Sequence, residues 1–346
     1  MKIKFAFATC LSCLSICVLS FAASQNEVPP GGNTVLLEVD GTKLTLADFD
    51  HKRPTALFQA RNAFYEAEKK AVDQYVDDYL LERQAQKENL TVTQLLDRHV
   101  NSTIAKDPPE EALRVYYEGV DTKEPYEAVR PQILQHVRDR RIEKAKKDYI
   151  QSLRAQAKIA SMLTPPRADV TAGEAPARGN TDAPVKIIEY ADYECPYCQQ
   201  IQPILNKVEA DFKGKIAFAY KDVPLPMHSH AEKAAEAAHC AGEQGKYWEY
   251  HDMLFAAKTL EVPQLKDHAR QLKLDGAAFD KCLDSGAEAG VIKPFVTEAQ
   301  GVGLQGTPSF FINGRYFSGG LSYEQFRNVI EEELGAAAKL KVTAQR

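Results

Sequence analysis

Ala183-Pro184-Val185-Lys186-Ile187-Ile188-Glu189-Tyr190-Ala191-Asp192-Tyr193-Glu194-Cys195-Pro196-Tyr197-Cys198 is the stretch whose reading decides the fold. Val185 to Tyr190 is a compact apolar run of the kind that forms a buried strand. Two cysteines follow it, spaced C-x-x-C, with Pro196 directly after the first. Proline is favoured at the first helical position, where its missing N–H would have no partner anyway. The pattern therefore predicts a strand, a turn, and a helix from Pro196 to about Phe212 with Cys195 at its N-terminus. Unpaired backbone N–H groups and the helix dipole favour a thiolate there. Cys198, about one turn further along the same face, could attack a mixed disulfide formed by Cys195 and release the product. Cys195 and Cys198 are the candidate catalytic pair, with Pro196 and Tyr197 as residues that tune it.

Working outward, Ile216 to Tyr220 reads as a second strand. Ser229-x-x-Glu232 resembles a capping box ahead of an alanine-rich helix, and helical patterns continue to about Gly301. Ser309 to Ile312 and Arg315 to Phe317 form a hairpin around Asn313-Gly314, and a last helix begins near Ser322. Rival readings of the C-x-x-C fit less well. Structural zinc wants a second pair of ligands at matching spacing, whereas Cys240 and Cys282 are single and far apart. A c-type haem needs a histidine where Gln199 stands. An inert structural disulfide is disfavoured by Thr307-Pro308, which sits just before a strand. No cofactor or metal is called for. His228 and His230, candidate metal ligands by type, are read as flanking the Ser229 cap, and His251 as a core or surface residue.

The stretch quoted above, together with Gly306-Thr307-Pro308-Ser309-Phe310-Phe311-Ile312-Asn313-Gly314, resembles the DsbA-like thioredoxin family over about residues 179 to 335. The order strand, helix, strand, helical block, two strands, helix fits an α/β thioredoxin fold with a helical insertion. The resemblance implies that Pro308 is cis and faces the cysteine sulfurs, and that the backbone of Thr307 pairs with a substrate chain. It implies that Glu189, six residues before Cys195, is a buried acid that aids proton transfer with Cys198. Lys221 is its candidate charge partner.

Towards the N-terminus the character changes. Residues 34 to 46 read as a hairpin about Asp40-Gly41, and Thr45-x-x-Asp48 as a capping box. Helical periodicity then runs to about residue 158, with Val72, Tyr75, Val76, Tyr79 and Leu80 on one stripe. Residues 34 to 158 are thus a mostly α-helical N-terminal domain. The opening hairpin, Leu80-Leu81-x-x-Gln84-Ala85 and Val129-Arg130-x-x-Ile133 loosely resemble the helical N-terminal domain of SurA-type periplasmic chaperones. Residues 159 to 182 gather Pro165, Pro166, Gly173, Pro176 and Gly179 and read as a linker, which leaves 183 to 340 for the thioredoxin-like domain.

Lys2 and Lys4, the apolar run Phe5 to Phe21, and Ser20-Phe21-Ala22 match a signal peptide over residues 1 to 23. Its removal would take the formal charge of −5 to −7, which offers no electrostatic case for nucleic acid. Cys10, Cys13 and Cys17 fall inside that segment. Four cysteines remain in a periplasmic or otherwise exported chain, where disulfides persist. Cys240 and Cys282 are candidates for a structural disulfide, the alternative being two buried thiols.

The function expected from these readings is thiol–disulfide exchange on unfolded or cysteine-containing exported proteins, with oxidase ranked ahead of isomerase and reductase. A separate redox partner would recharge the pair, and the architecture admits a homodimer through the N-terminal domain. From another class, a chaperone or holdase would make the redox pair secondary, and an assembly factor would keep one apo-protein's thiols reduced.

Overall fold

The computed structural model describes residues 32–53, 55–104 and 106–344. The expected signal segment, with Cys10, Cys13 and Cys17, lies outside them. The chain divides into two units, residues up to 53 and residues from 54 onward. In the first, strands β1 (Val35–Val39) and β2 (Thr42–Thr45) pair antiparallel. Asp40 and Gly41 turn the chain with φ of 50° and 79°, a left-handed conformation that suits short polar residues and glycine. Thr45 and Asp48 form the expected capping box at the start of α1 (Leu46–Lys52).

The second unit begins with helices α2 (Phe58–Lys87), α3 (Val92–His99), α4 (Glu110–Glu118) and α5 (Tyr126–Gln156). Leu80, Leu81, Ala85, Leu95 and Leu153 make one small core, and Leu113, Tyr126 and Ile133 make another. Arg154 of α5 binds Asp77 of α2 at 2.5 Å. The sheet-bearing part follows as β3 (Ala177–Gly179), β4 (Val185–Ala191), α6 (Pro196–Asp211) and β5 (Ile216–Asp222). Then come α7 (Ala231–Gly242), α8 (Tyr247–Ala256), α9 (Val262–Gln271), α10 (Gly276–Ser285) and α11 (Ala289–Gly301). The chain ends with β6 (Ser309–Ile312), β7 (Arg315–Ser318) and α12 (Tyr323–Ala344).

The five strands lie in the order β3-β5-β4-β6-β7, with β4 central. β4 and β5 are parallel, joined by the crossover helix α6, while the other pairings are antiparallel. This is a thioredoxin fold with α7 to α11 inserted between β5 and β6. Side chains alternate across the sheet. Val185 and Ile187 of β4, Phe218 and Tyr220 of β5, and Phe310 of β6 enter the main core with α6, α7 and α8. Ile188, Tyr190 and Phe311 face the other way, where Phe58 from the start of α2 also packs. The β6–β7 turn uses Asn313 and Gly314 at φ of 48° and 81°. A side chain at Gly314 would meet the Ala168 carbonyl oxygen at 2.5 Å, so glycine serves both the turn and a close approach.

Part of the stretch expected to be linker is built into the sheet. Ala177 to Gly179 add an antiparallel edge strand to β5, and the Ala168 N–H bonds the Gly314 carbonyl at 2.9 Å. Edge strands are short and tolerate glycine and proline, so their composition looks like a connection. Among the described residues, no helix is long and apolar enough to cross a membrane.

Candidate active site

The parallel pair β4 and β5 ends on the same side of the sheet, and the two following loops meet there. The first carries Asp192, Tyr193 and Glu194 into Cys195, the N-cap of α6, with Pro196 in the first helical position. Cys195 and Cys198 are both free thiols. Cys195 keeps 3% exposure and Cys198 none, while Tyr197 between them is 66% exposed. Of the two cysteines only Cys195 keeps any exposure.

Opposite them lies the turn before β6. The Thr307–Pro308 peptide bond is cis, and the Cys195 sulfur lies 3.3 Å from the Thr307 carbonyl oxygen, to which its thiol form donates. The motif read from sequence as two separate signals is one site, brought together by β6 pairing alongside β4.

The two thiols are driven apart in acidity. Cys195 is lowered to about 5, first by the hydrogen bond from Cys198, with Thr307 and the backbone N–H groups of Cys198 and Tyr197 adding to it against the cost of burial. Cys198 is pushed far up, chiefly by burial and then by the same hydrogen bond. At neutral pH the site therefore holds one thiolate and one thiol, the asymmetry that ordered attack and resolution require.

Glu189 lies beneath the pair on β4, fully buried, and neither carboxyl oxygen has a hydrogen-bond partner among the described residues. Burial raises it to about 8, with Arg178 pulling the other way. A solvated strand residue is ruled out, and the carboxyl keeps its proton at neutral pH.

The expectation that Lys221 pairs with Glu189 is corrected. In the β4–β5 register Glu189 lies opposite Tyr220, whereas Lys221 lies opposite Tyr190. Alternation sends Lys221 to the other face, where it binds Glu298 and, at 2.7 Å, the Thr171 carbonyl. The charge nearest in effect to Glu189 is Arg178 of β3, which binds Glu209 at 2.5 Å and covers the Trp248 ring. Arg178 fell within the expected linker, so sequence pattern gave no reason to consider it.

The Ser229 capping box is likewise not formed. His230 is the N-cap of α7, without a side-chain cap bond. His228 and His230 instead reach across to the loop before Cys195. His228 Nδ1 lies 2.7 Å from Asp192, and His230 Nδ1 2.8 Å from Glu194. Asp192, Glu194 and these contacts went unnoticed in the sequence, although the ends of two parallel neighbouring strands must bring their following loops together. His251 is a fully buried core residue bonded to Tyr193 at 2.9 Å. Cys240 of α7 and Cys282 of α10 are joined in a disulfide.

Residues 171–332 match the family model described as Thioredoxin. Their fold is that of thioredoxin. The resemblance read from the C-x-x-C and Thr-Pro motifs holds at the level of the fold. BdbD from Bacillus subtilis in its oxidised form is 25% identical, with a TM-score of 0.45, covering 48% of this chain and 95% of that one. The thiol-disulfide exchange protein alpha-DsbA2 from Wolbachia pipientis is 22% identical, with a TM-score of 0.42, covering 46% and 86%. Among curated relatives, the Na(+)/H(+) antiporter NhaA 3 of Salinispora tropica is 37% identical over 162 residues, 46% of this chain and 25% of that protein. NhaA of Herminiimonas arsenicoxydans is 32% identical over 155 residues, 44% of this chain and 25% of that protein. The chain spans about a quarter of the length of these curated relatives.

Proposed function

We propose that this chain is an exported thiol–disulfide oxidoreductase that gives its Cys195–Cys198 disulfide to cysteine-containing client proteins. The split acidity of Cys195, at about 5, and Cys198, far above the ordinary thiol, carries the reading. A stabilised thiolate favours the reduced form of the pair, and a pair whose reduced form is stabilised is a disulfide donor. In the donating direction a client thiolate attacks Cys195 Sγ and the Cys195–Cys198 bond breaks, with its electron pair leaving on Cys198. A second client thiolate then attacks the client sulfur of the mixed disulfide, forming the client's disulfide and releasing Cys195 as thiolate. The departing Cys198 sulfur takes a proton, and Glu189, protonated and buried beneath it, is the proposed donor. Thr307, through its backbone beside Pro308, is the proposed contact for the client chain. A redox partner would reoxidise the pair, and isomerase or reductase activity would use the same two sulfurs.

The test is oxidation of a reduced unfolded client by the oxidised protein, compared with Cys195→Ser. Stoichiometric disulfide transfer that vanishes in the variant supports the proposal, and no transfer from the native chain refutes it.

A chaperone reading has its own support in α2, where Phe64, Tyr75 and Tyr79 are 58%, 71% and 52% exposed. Suppression of client aggregation that persists in Cys195→Ser/Cys198→Ser would favour it.

A further inference from the structure

Asp192 is an ionisable side chain in an expensive place. It is 2% exposed and three residues before the exchanging sulfur. Its carboxylate accepts from the Glu194 N–H and the Leu225 N–H, each at 2.7 Å. Its carbonyl accepts from the Cys195 N–H at 3.1 Å. One residue thus shapes the turn into Cys195 and ties it to the loop after β5. The same carboxylate is an acidic group on the loop that leads into Cys195, and a like charge close to a thiolate raises the thiol's pKa.

His228 answers that charge. Its Nδ1 lies 2.7 Å from the Asp192 Oδ2, and it lines a groove beside the site together with Glu194, Gln199, Met227, His230 and Leu260. Burial works against its proton, but the Asp192 hydrogen bond and charge prevail and raise His228 above the free value, with Cys195 and Glu194 contributing. The charged groups that face it are Asp192, Glu194 and Cys195 from the active-site loop, and Lys258 and Glu261 across the groove; His230, its neighbour on the same loop, is engaged by Glu194.

We propose that His228 is a positioning residue for exchange at Cys195: it neutralises the loop-tying carboxylate of Asp192, so that the turn is held without repelling the thiolate. This rests on reading Cys195 as the exchanging sulfur. It goes beyond that reading in assigning the two loops a shared electrostatic task.

The neutral pair and the bare acid make opposite demands on a double substitution. His228→Asn keeps a hydrogen-bond donor but leaves Asp192 as an uncompensated buried charge. Asp192→Asn/His228→Asn removes both charges but, since an amide carries one oxygen, keeps only one of the two backbone bonds that Asp192 accepts. The full-length protein would be equilibrated with glutathione at about pH 6, below the ordinary histidine value, and the Cys195 thiolate titrated through its alkylation rate against pH. His228→Asn is expected to lower the tendency of the pair to be reduced by roughly three- to tenfold and to move the Cys195 midpoint up accordingly. The double variant is expected to bring the Cys195 midpoint back towards the native one while losing stability with the lost backbone bond, because coupled sites are not additive. His228→Lys, which keeps the cation, is expected to match the native chain and guards against a folding defect in the asparagine variant. An unchanged midpoint in His228→Asn would overturn the proposal. So would a His228→Lys variant as impaired as His228→Asn, which is the outcome of a purely structural contact. A native chain whose Cys195 shows no lowered midpoint would remove the redox reading itself, a failure distinguishable from either of these.

Discussion

The reduction potential of the Cys195–Cys198 pair should change by only about 30 mV per pH unit between about pH 5.5 and 7.5, half the slope of an ordinary dithiol. Reduction of a disulfide to two thiols consumes two protons with two electrons. Each proton makes the equilibrium constant vary tenfold per pH unit, which is about 30 mV for a two-electron couple. Here Cys195, at about 5, is already a thiolate through that window, so only Cys198 takes a proton. Glu189, raised to about 8 by burial, stays protonated below that value and does not add to the slope. The same shift has a stability counterpart in the reduced protein. The Cys195 thiol falls from 9.0 to about 5 on folding, so its contribution is complete above the unfolded value and is lost as pH falls through the folded one. At pH 7, two units above the folded value, it amounts to about 3 kcal/mol. Equilibration in glutathione buffers at a series of pH values, with the oxidised fraction read by alkylation and mass, gives the slope. About 60 mV per unit throughout would mean that both thiols are protonated, and the thiolate assignment would be wrong.

Three further outcomes follow from the geometry. Glu189 keeps its proton to about 8 in the fold but would lose it near 4.5 when unfolded, so native stability should fall as pH rises between those values. Glu189→Gln should therefore gain about 3 kcal/mol on the native chain between pH 4 and pH 7 in denaturant titrations of the oxidised protein, and an unchanged difference would contradict the burial. Lys221→Met should cost about 1–3 kcal/mol by removing the bonds to Glu298 and Thr171, yet leave the reduction potential where it was, since it lies on the other face of the sheet. The Cys240–Cys282 disulfide closes a separation of 42 residues, so Cys240→Ala/Cys282→Ala should destabilise the protein by about 4 kcal/mol in a chain-entropy account; a loss below about 1 kcal/mol would place its stabilisation elsewhere.

The sheet and its order were legible because Val185 to Tyr190, Ile216 to Tyr220 and Ser309 to Ile312 are short apolar runs with turn residues between them. Pro196 after Cys195 and Asn313-Gly314 each impose a local geometry that survives in the fold. The edge strand Ala177–Gly179 was not legible, because a three-residue edge among glycines and prolines carries no apolar period. Lys221 was misassigned because spacing along the chain does not reveal facing. One residue of register separates Tyr220, on the side of Glu189, from Lys221 on the other. The acid–histidine contacts cross 36 residues of sequence. They follow from the topology of parallel strands rather than from any motif, and could have been anticipated once β4 and β5 were read as neighbours.

The most direct test is the potential of the Cys195–Cys198 pair at neutral pH. Thioredoxin, with an attacking cysteine near 7, lies at about −270 mV. Lowering that cysteine to about 5, as for Cys195, stabilises the reduced form by a little over 2 kcal/mol and raises the potential by about 50 mV. The expected potential is therefore about −220 mV or a more oxidising value. A value at or below about −270 mV would make the chain a reductase, and a pair that does not titrate reversibly would contradict the exchange reading altogether.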